Sequence, residues 1–189
     1  MTNRKRKRVH KRKRKQPQQE QPRTLYFSYG SNMDHSQMAD RCPRARFVQR
    51  NALPDTKLVF RGGLADIDAA EGEYAYGAIW SITPECERIL DIYEGAPRLY
   101  VKEWLRVRQE GTIKRMLVYV MRNKKIALRP PPSSYLAGIA RGYAESGWGE
   151  LIDTVLDRAV ANAHKVWDMT DRVGQLVGRA ARQKKESKS

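Results

Sequence analysis

Disulfide frameworks, metal cages and membrane spans all find little material in this chain. Its 189 residues include two cysteines, Cys42 and Cys86, too few for a network of bridges and without metal-ligand spacing. The three histidines, His10, His35 and His164, are scattered and lack paired carboxylates, so no metal site is expected. No apolar run approaches the roughly 20 residues of a membrane helix. The basic start is not followed by an apolar stretch, which argues against a secretory signal. No glycine-rich loop ends in Gly-Lys-Ser or Gly-Lys-Thr, which excludes that route to nucleotide hydrolysis. Acidic residues are also scarce, 21 against 37 Lys and Arg, for a net charge of +16. These absences leave a soluble protein with reduced thiols, expected in the cytoplasm, or in the nucleus if the source is eukaryotic.

The positive charge is unevenly placed. Residues 1–22 carry ten Lys or Arg and one Glu, and residues 179–189 carry five and one. The intervening chain is only mildly basic. "MTNRKRKRVHKRKRKQPQQEQP" has too few apolar residues to fold and repels itself, so residues 1–23 are expected to be a disordered tail. Cations clustered over residues 4–15 would bind nucleic acid or another polyanion without sequence preference. The expected division is a folded unit over 24–147, a helical segment over 148–178 and a basic C-terminal tail over 179–189.

From Thr24 the pattern changes to short segments with period-two alternation, near 25–29, 45–53, 56–60, 74–82, 99–108 and 113–121. The last two read as a hairpin around Glu110-Gly111. Between the fourth and fifth strands, "TPECERILDIYEG" reads as a helix. Thr83 caps it, Pro84 suits its first turn, and Gly95 stops it. Cys86, Ile89, Leu90 and Tyr93 share its core face. After "RPPPSSY" the spacing becomes helical again, with Trp148, Leu151, Val155, Ala159, Ala163 and Trp167 on one stripe. This helix is expected to pack on the same chain rather than on a second copy. The fold class is α+β, a small, mixed but mostly antiparallel β-barrel with a short helix and C-terminal helices.

Two places carry chemistry. The strand "LYFSYGSNM" stops at Gly30-Ser31-Asn32, where Gly and Asn tolerate left-handed backbone angles. Such a turn can aim successive amides at one point as an anion-binding nest. Glu94 falls at a helix C-terminus, where the macrodipole disfavours negative charge by about 0.3–1 kcal/mol. Following a core-facing Tyr93, it can point inward with a raised pKa, as functional carboxylates do.

The motifs "YFSYGSN" (26–32), "RGGLADID" (61–68), "EYAYGAIWSITPE" (73–85), "LDIYEG" (90–95) and "PPSSYLAGIARGYAESG" (131–147) stand in an order that resembles the gamma-glutamylcyclotransferases. The resemblance runs from Leu25 to about Trp148. It implies a compact mixed barrel with a pocket at one end, and conversion of γ-glutamyl amino acids to 5-oxoproline without metal or cofactor. Glu94 matches the family's catalytic glutamate. Tyr26, Phe27, Ser28, Tyr29, Gly30 and Ser31 match the substrate-lining segment, and Asn32 completes it. Tyr100, Tyr119 and Tyr135 match aromatic positions around the γ-glutamyl group. Departures at Ser28, Met33, residues 142–146 and Trp148 bear on the leaving group more than on the reaction.

In that reaction the substrate's own α-amine is the nucleophile. Near neutrality it is mostly ammonium, so a base, Glu94, must take a proton. The amide oxygen gains charge during attack, so donors must wait for it. Amides near Gly30 and Ser31 would serve either that oxyanion or the substrate carboxylate. Tyr119 and Tyr135 would hold the folded conformer. The competing reading is a non-catalytic barrel that binds a small molecule or protein and is carried to nucleic acid by its tail.

Overall fold

The computed structural model describes residues 22–109 and 112–186. Of the tail expected over 1–23, residues 1–21, with the cations 4–15 expected to bind a polyanion, lie outside these, as do residues 187–189, whereas Arg23 is held against Ser81 at 2.8 Å. Strand β1 (Thr24–Ser28) is the centre of a five-stranded sheet of order β2-β3-β1-β5-β4. It pairs antiparallel with β3 (Leu64–Ile82), Tyr26 opposite Trp80, and parallel with β5 (Thr112–Met121), Tyr26 opposite Leu117. β2 (Arg46–Arg61) and β4 (Tyr100–Gln109) are the edges. The α+β class and the mainly antiparallel mixed sheet are as expected. The hairpin β4–β5 forms in the expected register, with Gln109 opposite Thr112.

The sheet does not close into a barrel. It curls until the segment after β5 meets the end of β2, through a bridge between Arg61 and Leu128 and a bond from the Arg129 amide to the Phe60 carbonyl (3.0 Å). No ladder joins β2 to β4 among the described residues. Pro130, Pro131 and Pro132 come next, and without N–H groups they cannot extend a ladder to complete the closure.

Two further expectations need correction. Pro54-Asp55 does not divide two strands. Asp55 takes a left-handed φ of 54° and forms a bulge between Pro54 and Thr56, its carboxylate accepting from the Gly72 amide at 3.0 Å. β2 therefore continues through the break. β3 likewise begins ten residues before the expected strand, because Gly62 and Gly63, at φ 58° and 87°, make a two-residue hairpin turn.

Helix α1 (His35–Arg41) follows a 3-10 turn at Ser31–Met33. α2 (Pro84–Tyr93) has its expected cap, the Thr83 hydroxyl accepting from the Cys86 amide at 3.2 Å, and ends at Gly95 with φ 60°. Cys86 and Leu90 face the core, but Tyr93 is 59% exposed, with the Arg41 guanidinium 4.7 Å over its ring. A tyrosine in the last turn gains more by stacking under a cation than by burying its hydroxyl. Thr83→Ala is expected to cost about 1 kcal/mol, read as a lower urea midpoint at unchanged m-value.

α3 (Ser133–Glu145) clamps the 3-10 turn. A Cβ at Gly142 would lie 2.5 Å from Met33, and Arg141 donates to the fully buried Asp34 carboxylate at 2.9 Å. The C-terminal helix is not continuous from Trp148. A 3-10 turn at Gly149–Leu151 and a π-helical turn at Ile152–Leu156 precede α4 (Asp157–Glu186). Leu156, Ala159 and Ala163 are buried, whereas Trp167 is 40% exposed beneath Arg129. Both cysteines are free and buried, and no described helix is long and apolar enough to cross a membrane.

Candidate active site

A cleft opens where β1 ends. Tyr26, Tyr29, Gly30, Ser31 and Asn32 line it together with Ala65, Glu94, Tyr100, Tyr119 and Tyr135. Eight of the ten expected binding residues therefore meet there, together with Glu94. Phe27 and Ser28 do not. Phe27 is wholly buried in the core, and the Ser28 hydroxyl, also buried, is taken up by the Trp80 indole, from which it accepts at 3.1 Å.

The turn after β1 is not a nest. Neither Gly30, at φ −117°, nor Asn32 has a left-handed backbone, and the segment closes as a 3-10 turn through the Met33 amide and Gly30 carbonyl at 2.9 Å. Glycine suits position 30 by the space it leaves. A Cβ would project 3.1 Å from the Ala65 Cβ and 3.5 Å from the Tyr135 hydroxyl, into the cleft itself.

Glu94 is the C-cap residue of α2, so its carboxylate is delivered by the helix end and held by the Gly95 turn. Burial pushes its pKa up to about 7, against the opposing pull of Arg41 and the Asn32 hydrogen bond. Desolvation is thus the leading cause of the raised pKa. Asn32 donates to Glu94 Oε1 at 2.7 Å and to the Tyr26 hydroxyl at 2.9 Å. Its own carbonyl oxygen accepts from Arg41 at 2.6 Å, and Arg41 also reaches Gln37 at 2.7 Å. A guanidinium only donates, so Arg41 fixes the Asn32 amide with its NH2 group toward Glu94.

The tyrosines divide by what their hydroxyls do. Tyr29 donates to the Tyr119 carbonyl (2.7 Å), Tyr100 to the Ala65 carbonyl (2.6 Å) and Tyr119 to the Asp91 carboxylate (2.7 Å). Tyr26 and Tyr135 instead accept, from Asn32 and from the Ala65 amide (3.3 Å), which leaves their protons available. Burial raises the pKa of both, so both stay neutral donors. Sequence reasoning missed Arg41, Ala65 and Asp91. Arg41 lies nine residues beyond Asn32 with no motif linking them, and Ala65 contributes only backbone. Among the described residues no cluster of three or more His, Cys, Asp or Glu could hold a metal.

A desolvated carboxylate thus lines a tyrosine-rich cleft beyond the central strand of an open mixed sheet. The family model for gamma-glutamyl cyclotransferase, AIG2-like, matches residues 26–137. Gamma-glutamylcyclotransferase of Homo sapiens is 32% identical over 136 residues, covering 65% of this chain and 71% of the human protein. The Mus musculus protein of that name is 30% identical over 154 residues, 75% and 81% of the two chains. A solved gamma-glutamyl cyclotransferase superposes with a TM-score of 0.62 at 28% identity, over 71% of this chain and 88% of that one. The chain belongs to the gamma-glutamyl cyclotransferase, AIG2-like family and is an enzyme of that type.

Proposed function

We propose that the cleft cyclises a γ-glutamyl amide to 5-oxoproline and releases an amine or amino acid, with Glu94 as proton carrier. The observation that carries this reading is a carboxylate with a pKa near 7 in a cleft built from the YGSN turn. The substrate α-ammonium gives its proton to Glu94. The freed amine attacks the γ-carbonyl carbon, forming the ring C–N bond, and the amide C–N bond then breaks as Glu94 returns the proton to the departing nitrogen. The extra proton left on the ring nitrogen passes to the released amine, giving the neutral lactam and an ammonium. One carboxylate serves both halves, because a pKa near the working pH makes it a competent base and then a competent acid.

Asn32 occupies Oε1 and leaves Oε2 to face the amine. Tyr26 and Tyr135, with hydroxyl protons to give, are the side-chain donors suited to the substrate carboxylate or the developing oxyanion, beside the amides of Gly30 and Ser31. Tyr119 acts through its ring, which meets Tyr26 edge-on at 5.7 Å, while Asp91 holds its hydroxyl. Arg41 acts through Asn32.

The test is mass-spectrometric detection of 5-oxoproline from γ-glutamyl amino acids, glutathione and γ-glutamyl-ε-lysine across pH. Glu94 must be ionised to accept the proton, so kcat/KM is expected to fall about tenfold per pH unit below about 7. No product from any substrate, or an acid limb down at the ordinary carboxylate range, would overturn the assignment.

A further inference from the structure

A second cavity, of about 430 Å³, shares none of its lining residues with the cleft. It lies between the β2–β3 hairpin and the helical segment from Leu151 to Asn162. That segment falls beyond residues 26–137, which the family model matches, so half of the cavity stands outside the shared framework. Leu58 and Ala159, both buried, and the half-buried Leu151 and Val155 give it an apolar lining. Tyr74 and Tyr76, two residues apart on β3, add aromatic rings with centroids 6.3 Å apart. Trp148 backs Tyr76 edge-on at 4.9 Å. The charged part is Glu73 flanked by two cations, Lys57 Nζ at 3.9 Å from Oε1 and Arg158 Nη1 at 3.5 Å from Oε2. Both distances exceed the roughly 2.7–2.9 Å of a charge-assisted hydrogen bond, so neither cation has its donors committed to Glu73. The π-helical turn at Ile152–Leu156 supplies Thr154 and Val155, and turns of this rare kind concentrate at functional sites.

We infer that this cavity is a second binding site, for a planar aromatic anion of one or two rings bearing a single acidic group. Small-molecule sites enclose about 300–1,000 Å³ and combine an apolar and aromatic lining with a few polar groups that fix orientation. The rings of such a ligand would lie on the apolar lining against Tyr74 and Tyr76, where aromatic pairs gain beyond the area they bury. Its acidic group would meet Lys57 and Arg158, the latter a planar donor able to bind two oxygens at once. Two cations against one carboxylate leave the cavity with positive charge in excess. A cationic ligand is the poorer fit, because Glu73 is already flanked by two cations. The inference is independent of the reaction in the cleft, whose residues it does not use.

The test is fluorescence titration of the full chain with three dyes: anilinonaphthalene sulfonate, the uncharged phenylnaphthylamine and the cationic thioflavin T. The sulfonate is expected to bind tightest, at one site per chain. Lys57→Gln with Arg158→Gln leaves Glu73 unopposed and should weaken the sulfonate about tenfold without changing phenylnaphthylamine. Tyr74→Ala should weaken both of these dyes about fivefold. Val155→Trp fills the cavity and should abolish the binding of both. Circular dichroism melts of each variant establish that it is folded. The inference is overturned if the charge variant binds the sulfonate as the parent does, or if Val155→Trp leaves binding intact, so that the dye sits elsewhere on a basic chain. It is equally overturned if thioflavin T is the preferred dye, or if nothing binds.

Discussion

Glu94→Gln is expected to abolish 5-oxoproline release and at the same time to stabilise the protein. Gln keeps the shape of the carboxylate but cannot carry a proton, so the loss should reach about 10²–10⁴-fold in kcat. The stability effect follows from burial. Because the native pKa stands near 7 instead of the usual 4.5, the folded chain binds more protons than the unfolded chain between those values. The contribution of this group is therefore most favourable below pH 4.5 and is lost as pH rises through 7. At about 1.36 kcal/mol per pH unit, the ionised carboxylate costs the native state about 3 kcal/mol at pH 8. Glu94→Gln removes that cost. Urea denaturation should show the variant more stable at pH 8 and equal to the parent at pH 4. Retained activity would refute the catalytic role, and equal stability at pH 8 would refute the desolvation argument.

The second large effect is expected at Asp66. Its carboxylate is fully buried yet accepts from Arg61 Nε at 3.0 Å, the Met121 amide at 2.9 Å and Lys124 Nζ at 2.7 and 2.8 Å. It pins the start of β3 to the end of β5. Asp66→Ala would orphan the Met121 amide and strip the 11%-exposed Arg61 of its buried partner, leaving it Asp68 and the carbonyls of Lys124 and Ile126. Removing one partner of such a group typically costs about 3–5 kcal/mol. Lys124 can still reach water, so about 3 kcal/mol is expected here. Ala65, the neighbouring residue, uses its amide and carbonyl to hold Tyr135 and Tyr100. The variant should therefore also raise KM at temperatures where it remains folded. An unchanged melting temperature would show that solvation of the cations compensates.

The sequence carries the site further than the fold. Glu94 is legible because a capped helix and a stopping glycine fix its position, and the tyrosines because the family motifs keep their order. Gly30 reads locally as conformational freedom, yet its cause is lateral: a Cβ there would crowd Ala65 and Tyr135, 35 and 105 residues away. Phe27 reads as a cleft residue because a motif is contiguous, whereas a strand alternates its faces, and Ser28 because nothing local shows that Trp80 takes its hydroxyl. The bulge at Asp55 and the failure of the sheet to close depend on contacts across the fold that no local pattern records. Arg41 is invisible for the same reason, since its meaning lies in which end of Asn32 it touches.

The position of β1 has a consequence for how the chain is made. The strand at the centre of the sheet is the first to be synthesised, yet its antiparallel neighbour ends at Ile82 and its parallel neighbour at Met121. On a ribosome adding about 5–20 residues per second, β1 waits several seconds for both partners. Only the β2–β3 hairpin can form from its own local pairing before then. Closing the β1–β5 pair also encloses about ninety residues of chain, a non-local step of the kind that slows folding. Until it occurs, Tyr26 and Phe27 have no covering strand on one side. The wall of the cleft that β1 supplies is thus the part of the sheet exposed longest to mispairing during synthesis.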